Sequence, residues 1–262
     1  MKHKLHNNKE RGVSKIVRSL LPKGWIPIAI LFFTICLTAS SAAQNFTVNS
    51  TADNVDINPG DGIAADLLGN TTLRAAIMEA NALAGAQTIT LPAGIYLFAL
   101  VGIGENAAAT GDLDITGDLT INGAGAAFTI IDGDGLDRIF EIYPGAVVNI
   151  DGVMIRNGYP GIGIGRGGGI INRGVMTLAN SVVTGNTGTF SGGGIWNSGT
   201  MTLTNTTVSG NAEVANPSGQ SAGGGGIYTK GTMTLIGTTV SGNTTLGYGG
   251  VAVVVSTTLT RR

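Results

Sequence analysis

Ionisable side chains gather at few places in this chain, and those places bound the chemistry it could perform. Asp132, Asp134 and Asp137 run directly into Arg138, and Asp151 and Arg156 come next. If neighbouring turns of a repeat bring Asp132 or Asp134 beside Asp151, with Arg138 or Arg156 alongside, the set has the groups of a polysaccharide-cleaving site. A hydrolase needs paired carboxylates as acid and base, and a lyase needs carboxylate-held calcium and a basic group to take the proton. The same Asp-Gly-Asp-Gly run at 132–135 is also ordinary turn chemistry, with Arg138 as an ion-pair partner. A second set, Asp53, Asp56 and Asp61, surrounds the turn Pro59-Gly60-Asp61-Gly62. Three carboxylates in a Gly-rich loop could hold calcium, although the spacing fits no EF-hand and Asp and Gly are equally common in plain turns. The third set is Ile171, Trp196 and Tyr228. As an outward ladder it could stack on sugar rings or peptide, or serve only as packing.

Other chemistries are excluded by composition. The two His are residues 3 and 6 and the single Cys is Cys36, so the rest of the chain has no His-dependent triad and no His- or Cys-ligated zinc. The formal net charge is -1, but 7 of the basic residues precede residue 24. The chain after Ala43 carries 8 basic and 15 acidic residues, which argues against a nucleic-acid partner. Between residues 160 and 262 the only acid is Glu213, so paired carboxylates cannot form there. Gly161–Gly169 is glycine-rich but has neither the Lys-Ser/Thr ending nor the strand-to-helix setting of a phosphate loop.

Residues 1–43 have the form of a secretory signal: a basic start, an apolar run from Trp25 to Leu37, and small residues from Ala39 to Ala43. That run is short for a membrane span, which needs about 20 residues. The mature protein is expected to be secreted or at the cell surface, with no transmembrane segment once the signal is removed.

The elements that must position these side chains begin after the leader. Residues 44–112 read as an N-terminal cap with first strands, including one helix over about 72–84. Thr71 or Thr72 can cap it and Gly85 can end it, and Leu73, Ala76, Ile77 and Ala80 form one apolar face. Such a helix suits a lid over an open apolar end. From residue 113 onward short strands alternate with Gly, Asn and Asp. Gly168-Gly-Ile-Ile-Asn172 recurs as Gly193-Gly-Ile-Trp-Asn197 and Gly225-Gly-Ile-Tyr-Thr229, and each copy leads into Met-Thr-Leu and then a Gly-Asn turn. The steps are 25 and 32 residues, the seven extra residues lying in the polar loop from Ala212 to Ala222.

Repeats of this length made of strands imply a solenoid in which each turn covers the next. A leucine-rich repeat would need a Leu ladder and a helical return. The predicted fold is therefore all-β, a parallel β-helix over 113–262 with one short N-terminal capping helix; a right hand is expected, although the period alone does not fix it. Ile170, Ile195, Ile227 and Val251 should stack as one inward column, with Leu178, Leu203, Leu235 and Leu259 as a second and Val183, Val208 and Val240 as a third. Asn186, Asn211 and Asn243 should tolerate left-handed backbone and hydrogen-bond from turn to turn. Trp196 and Tyr228, next to inward residues, should face outward.

Thr71-Thr-Leu-Arg-Ala-Ala-Ile77, with Glu79-Ala-Asn81 and the repeats above, resembles bacterial exported proteins of the pectate-lyase-like superfamily, whose N-terminal signature reads Cys-Ser-Leu-Arg-Glu-Ala-Ile. The resemblance spans roughly residues 46–260 and implies a right-handed parallel β-helix. It also implies a disulfide whose two ends, Thr71 and a position near Ala64, are not Cys here, so the cap is expected to hold by packing alone. The signature Glu is Ala75, which removes a polar contact near the helix start. The chain stops with its last coil incomplete, which is expected of a fragment, and an open coil could self-associate. The expected function is structural or adhesin-like, with a cell-surface glycan or protein as partner and no required cofactor, calcium being the one candidate. The alternative is a polysaccharide lyase or glycoside hydrolase.

Overall fold

A computed structural model describes residues 43–102, 104–163, 165–219, 221–246, 253–255 and 259–261. The signal read over residues 1–43 thus lies outside the described residues except for Ala43. The chain forms a parallel β-solenoid of about 5 turns. Each strand is only two to five residues long because Gly, Asn or Asp interrupts the alternation of apolar and polar residues on either side.

Four parallel sheets run along the solenoid. The first has eight strands, from Asn45–Thr47 through Gln87–Leu91, Leu119–Gly123, Val147–Asp151, Val175–Ala179, Thr200–Thr204 and Thr232–Ile236 to Leu259–Arg261. The second has six: Leu113–Ile115, Phe140–Ile142, Ile170–Asn172, Ile195–Asn197, Ile227–Thr229 and Val253–Val255. The third also has six, from Gly94–Leu97 to Thr239–Ser241, and the fourth is a three-stranded turn sheet of Thr187–Gly188, Ala212–Glu213 and Thr244–Thr245.

The inward columns form as the repeat requires. Ile170, Ile195 and Ile227 are in register, as are Leu178, Leu203 and Leu235, and Val183, Val208 and Val240. All but Leu235 and Val240 are fully enclosed, in one core continuous with Ile89, Ile121 and Ile150. Each buried aliphatic side chain contributes about 1.5–3 kcal/mol, and each needs the coil above and below to remove it from water. The last coil departs from the expected register. Val253, not Val251, pairs with Ile227, and Leu259 pairs with Met233 while Arg261 stands opposite Leu235. The interval between the two strands, six residues from Val253 to Leu259, equals that from Ile227 to Met233, so Leu259 continues the Met column and not the Leu column. Val251 itself and the side chains of the open coil lie outside the described residues, as does the expected self-association through them.

The repeated Gly-Gly before each Ile reflects close approach. A Cβ on Gly193 would collide with the carbonyl oxygens of Ala212 and Gly225 in the neighbouring strands. At the Gly-Asn turns it is the Gly that takes the left-handed backbone, Gly185 at φ 65 and Gly210 at φ 63, while the Asn supplies hydrogen bonds. Asn186 donates its Nδ2 to Asn211 Oδ1 at 2.9 Å, and Asn211 does the same to Asn243 at 3.0 Å. A second ladder links Asn172 to Asn197 and Asn197 to Thr229, at 2.7 and 2.9 Å. Left-handed Asn occurs elsewhere, at Asn157, Asn180 and Asn205.

The one helix among the described residues, Leu73–Ala82, begins at Thr72, whose hydroxyl accepts from Ala75 N at 3.0 Å, and stops where Leu83 turns extended. It is shorter at its end than the sequence spacing suggests. Leu73, Ala76, Ile77 and Ala80 join the core above Ile89 and Ile115, so the helix closes the first coil. Asn81 extends the second sheet by hydrogen-bonding its edge strand, donating to Asp114 O at 2.7 Å and accepting from Thr116 N at 2.9 Å.

The cap does not hold by packing alone. Arg74, 1% exposed, reaches from the helix to Asp53, with Nε 2.6 Å from Oδ1 and Nη2 3.2 Å from Oδ2. It also donates to Ala108 O and Gly111 O at 2.9 and 2.8 Å and sits over the Phe98 ring. Buried Glu79 accepts from the backbone N–H groups of Gly60 and Gly62. Where the resembled family has a disulfide, this cap has a buried ion pair and a buried carboxylate that fastens a turn.

Candidate carboxylate cluster on the second sheet

The strands Leu113–Ile115 and Phe140–Ile142 are neighbours, with Asp114 in register with Glu141. Their flanking apolar residues point into the core, so alternation turns both acids to the outer face. Asp112, just ahead of the first strand, joins them, and one oxygen from each of the three carboxylates lies within 4.8 Å of the others. Two guanidinium groups answer this charge. Arg138 Nε stands 3.3 Å from Asp112 Oδ2, and Arg138 and Arg173 each pair through Nη1 with Glu141. The segment leading into the cluster is tied down as well, Ala108 N donating to Asp114 Oδ2 at 3.2 Å and Tyr143 Oη to Asn106 Oδ1 at 2.6 Å.

All three acids are buried. Burial is the main reason that Asp112 is pushed up to about 7, opposed by Arg138 and reinforced by the charges of Asp114 and Asp137. Asp114 is raised to about 6, again mainly by burial and against the hydrogen bond from Ala108 N. Burial and the same two acids lift Tyr143 to about 12. The arrangement can therefore keep protons on carboxyl groups near neutral pH, and it offers hard oxygen donors of the kind calcium takes. Two arginines already neutralise most of its charge.

These shifts tie the stability of the fold to pH. A folded pKa above the ordinary 3.8 means the folded protein holds protons that the unfolded chain releases. This stabilisation is complete below about pH 4 and is lost as pH rises through 6 and 7. Raised Asp137 and Asp56, both mainly desolvated, act in the same direction. The protein should be less stable at pH 8 than at pH 5, by on the order of 1–3 kcal/mol. Thermal unfolding across that range should show the decline, and Asp112→Asn should flatten it.

The expected grouping of Asp132 and Asp134 with Asp151 does not occur. Asp132 is on the third sheet, where it pairs with Arg156 at 2.7 Å and accepts from Asn157 Nδ2 at 2.9 Å. Burial alone would raise its pKa, but these partners bring it below the ordinary value. Asp134 occupies a left-handed turn position at φ 50. Asp151 is on the first sheet and accepts from Asn180 Nδ2 at 2.6 Å. Arg138 serves Asp112 and Glu141 instead. Alternation along the strands, not proximity in sequence, decides which acids meet.

No protein-family model, curated protein or solved structure matches the chain. The fold and its clusters therefore rest on the chain's own geometry.

The calcium reading of Asp53, Asp56 and Asp61 is also corrected. Asp53 takes the Arg74 guanidinium and the N–H groups of Ala99 and Leu100. Asp56 and Asp61 each accept from a backbone N–H two residues on, Asn58 and Ile63, as turn residues do. Among the described residues only Asp112, Asp114 and Glu141 are close enough together to form a carboxylate set.

The aromatic ladder exists but is not an open platform. Asp114, Glu141, Ile171, Trp196 and Tyr228 form one outward row on the second sheet, continuous from coil to coil. Ile171 and Trp196 are nonetheless only 3% and 6% exposed. Arg166 lies over both the Trp196 and Phe190 rings, at 5.2 and 5.4 Å, and Lys230 faces Tyr228. The acids of this row carry a signal in the sequence, since Leu113-Asp-Ile115 and Phe140-Glu-Ile142 share one pattern about a coil apart. That relation stands outside the more regular repeats, which do not reveal it.

Proposed function

We propose that the protein is an exported cell-surface β-solenoid, adhesin-like in role, that binds neutral glycan along the outer face of its eight-stranded sheet. The observation carrying this reading is a row of Thr88, Thr120, Asn149, Thr177, Thr202 and Thr234, in register at one residue per coil. All six are half-buried or exposed, whereas Leu113–Ile115, Phe140–Ile142, Ile170–Asn172 and Ile195–Asn197 of the second sheet are buried throughout. The row repeats about every 4.8 Å and offers uncharged hydroxyl and amide groups that suit sugar hydroxyls. Many weak equivalent contacts to a repeating polymer add up through effective concentration. Export is supported by the basic and apolar leader, and a bacterial origin in the pectate-lyase-like superfamily by the resemblance of the cap and repeats.

The test is retention of the full chain on neutral and acidic polysaccharides. The wild type should be retained by a neutral polymer, and Thr177→Lys with Thr202→Lys should weaken retention at least about tenfold without changing thermal unfolding. Equal retention of the double variant would rule out this face.

A second reading, cleavage of an acidic polysaccharide, is favoured by one observation: three buried carboxylates, Asp112, Asp114 and Glu141, stand within 4.8 Å of one another, with burial raising Asp112 to about 7 and Asp114 to about 6. Product release in the same assay, abolished by Asp114→Asn, would replace the binding reading with this one.

A further inference from the structure

The seven extra residues of the long repeat enter beside a carboxylate that has no partner. Glu213 stands in register with Gly188 of the preceding coil. That coil needs only two residues to pass from Gly188 to Ser191, whereas the next one carries the inserted loop between Glu213 and Gly223, the residue that pairs with Ser191. A Cβ on Gly188 would point across this turn to the carbonyl oxygens of Gly192 and Ser191, at 3.0 and 3.1 Å. By the same register the Glu213 side chain is directed toward the backbone of Gly223 and Gly224, with Ser191 paired to Gly223 one coil earlier. Parallel stacking gives both residues the same side-chain direction.

The region it enters is polar and unsatisfied. Glu213 is fully buried, and neither carboxylate oxygen has a hydrogen-bond partner. Ser191, also fully buried, has an unpartnered hydroxyl, and so does Ser221 in the inserted loop. Ser221 is close enough to the carboxylate to favour its charged form, though burial outweighs this and raises the pKa of Glu213. No Lys or Arg among the described residues forms an ion pair with it. An orphan buried carboxylate costs several kcal/mol, and native interiors rarely leave such groups without a partner. The ends of the loop are firmly placed: Val214 N donates to Gly188 O at 2.9 Å and Ala222 N to Phe190 O at 2.8 Å. The backbone on either side of the loop, next to Glu213 and to Ser221, is thus tied to the preceding coil.

We propose that Glu213, Ser191 and Ser221 form a calcium site that fastens the 214–222 loop to the preceding coil. Calcium takes carboxylate and neutral oxygen ligands, and a site with a single carboxylate belongs in the weak range, about 10⁻⁴–10⁻³ M, found in extracellular modules. The site is separate from the Asp112, Asp114 and Glu141 cluster and does not depend on glycan binding.

Terbium(III), a calcium mimic excited through tryptophan, provides the probe. Trp196 is near the site, since Arg166 both pairs with Ser191 and lies over the Trp196 ring. Titration of the full chain should give saturable terbium luminescence that millimolar calcium displaces. Glu213→Gln, which keeps the side-chain shape, should weaken binding at least about tenfold, with a smaller loss for Ser221→Ala and none for Asp114→Asn. Trp196→Phe should lose the luminescence but keep a calcium-dependent rise in unfolding temperature. Calcium should also slow proteolysis within the inserted loop of the wild type but not of Glu213→Gln. No saturable binding, binding unchanged in Glu213→Gln, or binding lost in Asp114→Asn would each overturn the proposal. The first two would leave Glu213 as a protonated acid satisfied by water.

Discussion

Replacing Arg74 with Met should destabilise the protein by about 3–5 kcal/mol, the usual cost of removing one partner from a buried charge pair. Two consequences add up. The Asp53 carboxylate, whose side chain is only 6% exposed, loses its counter-charge, and the carbonyls of Ala108 and Gly111 lose their donor. Together these contacts bind the helix to the segment around Asp53 and to the chain entering the second sheet. At about 2–4 °C per kcal/mol for a protein of this size, the unfolding temperature should fall by roughly 10 °C. Arg74→Lys should rescue little, because one ammonium cannot reproduce the forked geometry toward Asp53 and two carbonyls. Adding Asp53→Asn to Arg74→Met should recover part of the loss, since the stranded charge is removed with its partner. Circular dichroism during heating provides the measurement. A loss below about 1 kcal/mol would mean that packing of Leu73, Ala76 and Ile77 secures the cap without the ion pair.

Asn211→Ala has the second largest expected effect, about 2–4 kcal/mol. Asn211 is fully buried and sits mid-ladder, so its loss is felt in both directions. Its Oδ1 accepts from Asn186 N and Nδ2 at 3.0 and 2.9 Å, and its Nδ2 donates to Val183 O, Ser209 O and Asn243 Oδ1 at 2.9, 3.1 and 3.0 Å. Alanine leaves those buried partners without a replacement. Asn205→Gly is the control: that side chain is exposed, makes only a 3.4 Å contact to Asn180, and occupies φ 48, which Gly adopts freely. It should change stability by no more than about 0.5 kcal/mol. Equilibrium denaturation of the two variants side by side would distinguish a ladder that carries stability from one that only fills space.

How far the sequence was legible differs between the inside and the outside of the solenoid. The Ile, Leu and Val columns were readable because an inward position has one requirement, an apolar side chain that recurs once per coil. The Gly-Asn turns were readable for the same reason, and Asn186, Asn211 and Asn243 do bond from coil to coil. Outward positions carry no such constraint. Asp132 lies closer in sequence to Asp137 than to Arg156, yet a parallel register places it opposite Arg156. Asp114 and Glu141 meet because both stand between two inward residues of adjacent strands, a relation in the less regular early coils. Trp196 faces outward as alternation requires, but alternation could not tell that Arg166 and Phe190 cover it.

The sequence by itself determined that this chain winds into parallel coils, which residues line the interior of the regular coils, and that a short helix closes one end. Those features come from local periodicity and from the need of each coil to be covered by the next. Only the tertiary structure decided which charges meet, because that depends on register between strands a coil apart and on which sheet face the loops cover. It gave Asp53 to Arg74, brought Asp112, Asp114 and Glu141 under two arginines, left Glu213 buried without a hydrogen-bond partner, and left the threonine row half-buried. A buried charge must find its partner in space, and the interval separating the two in sequence depends on how the coils stack.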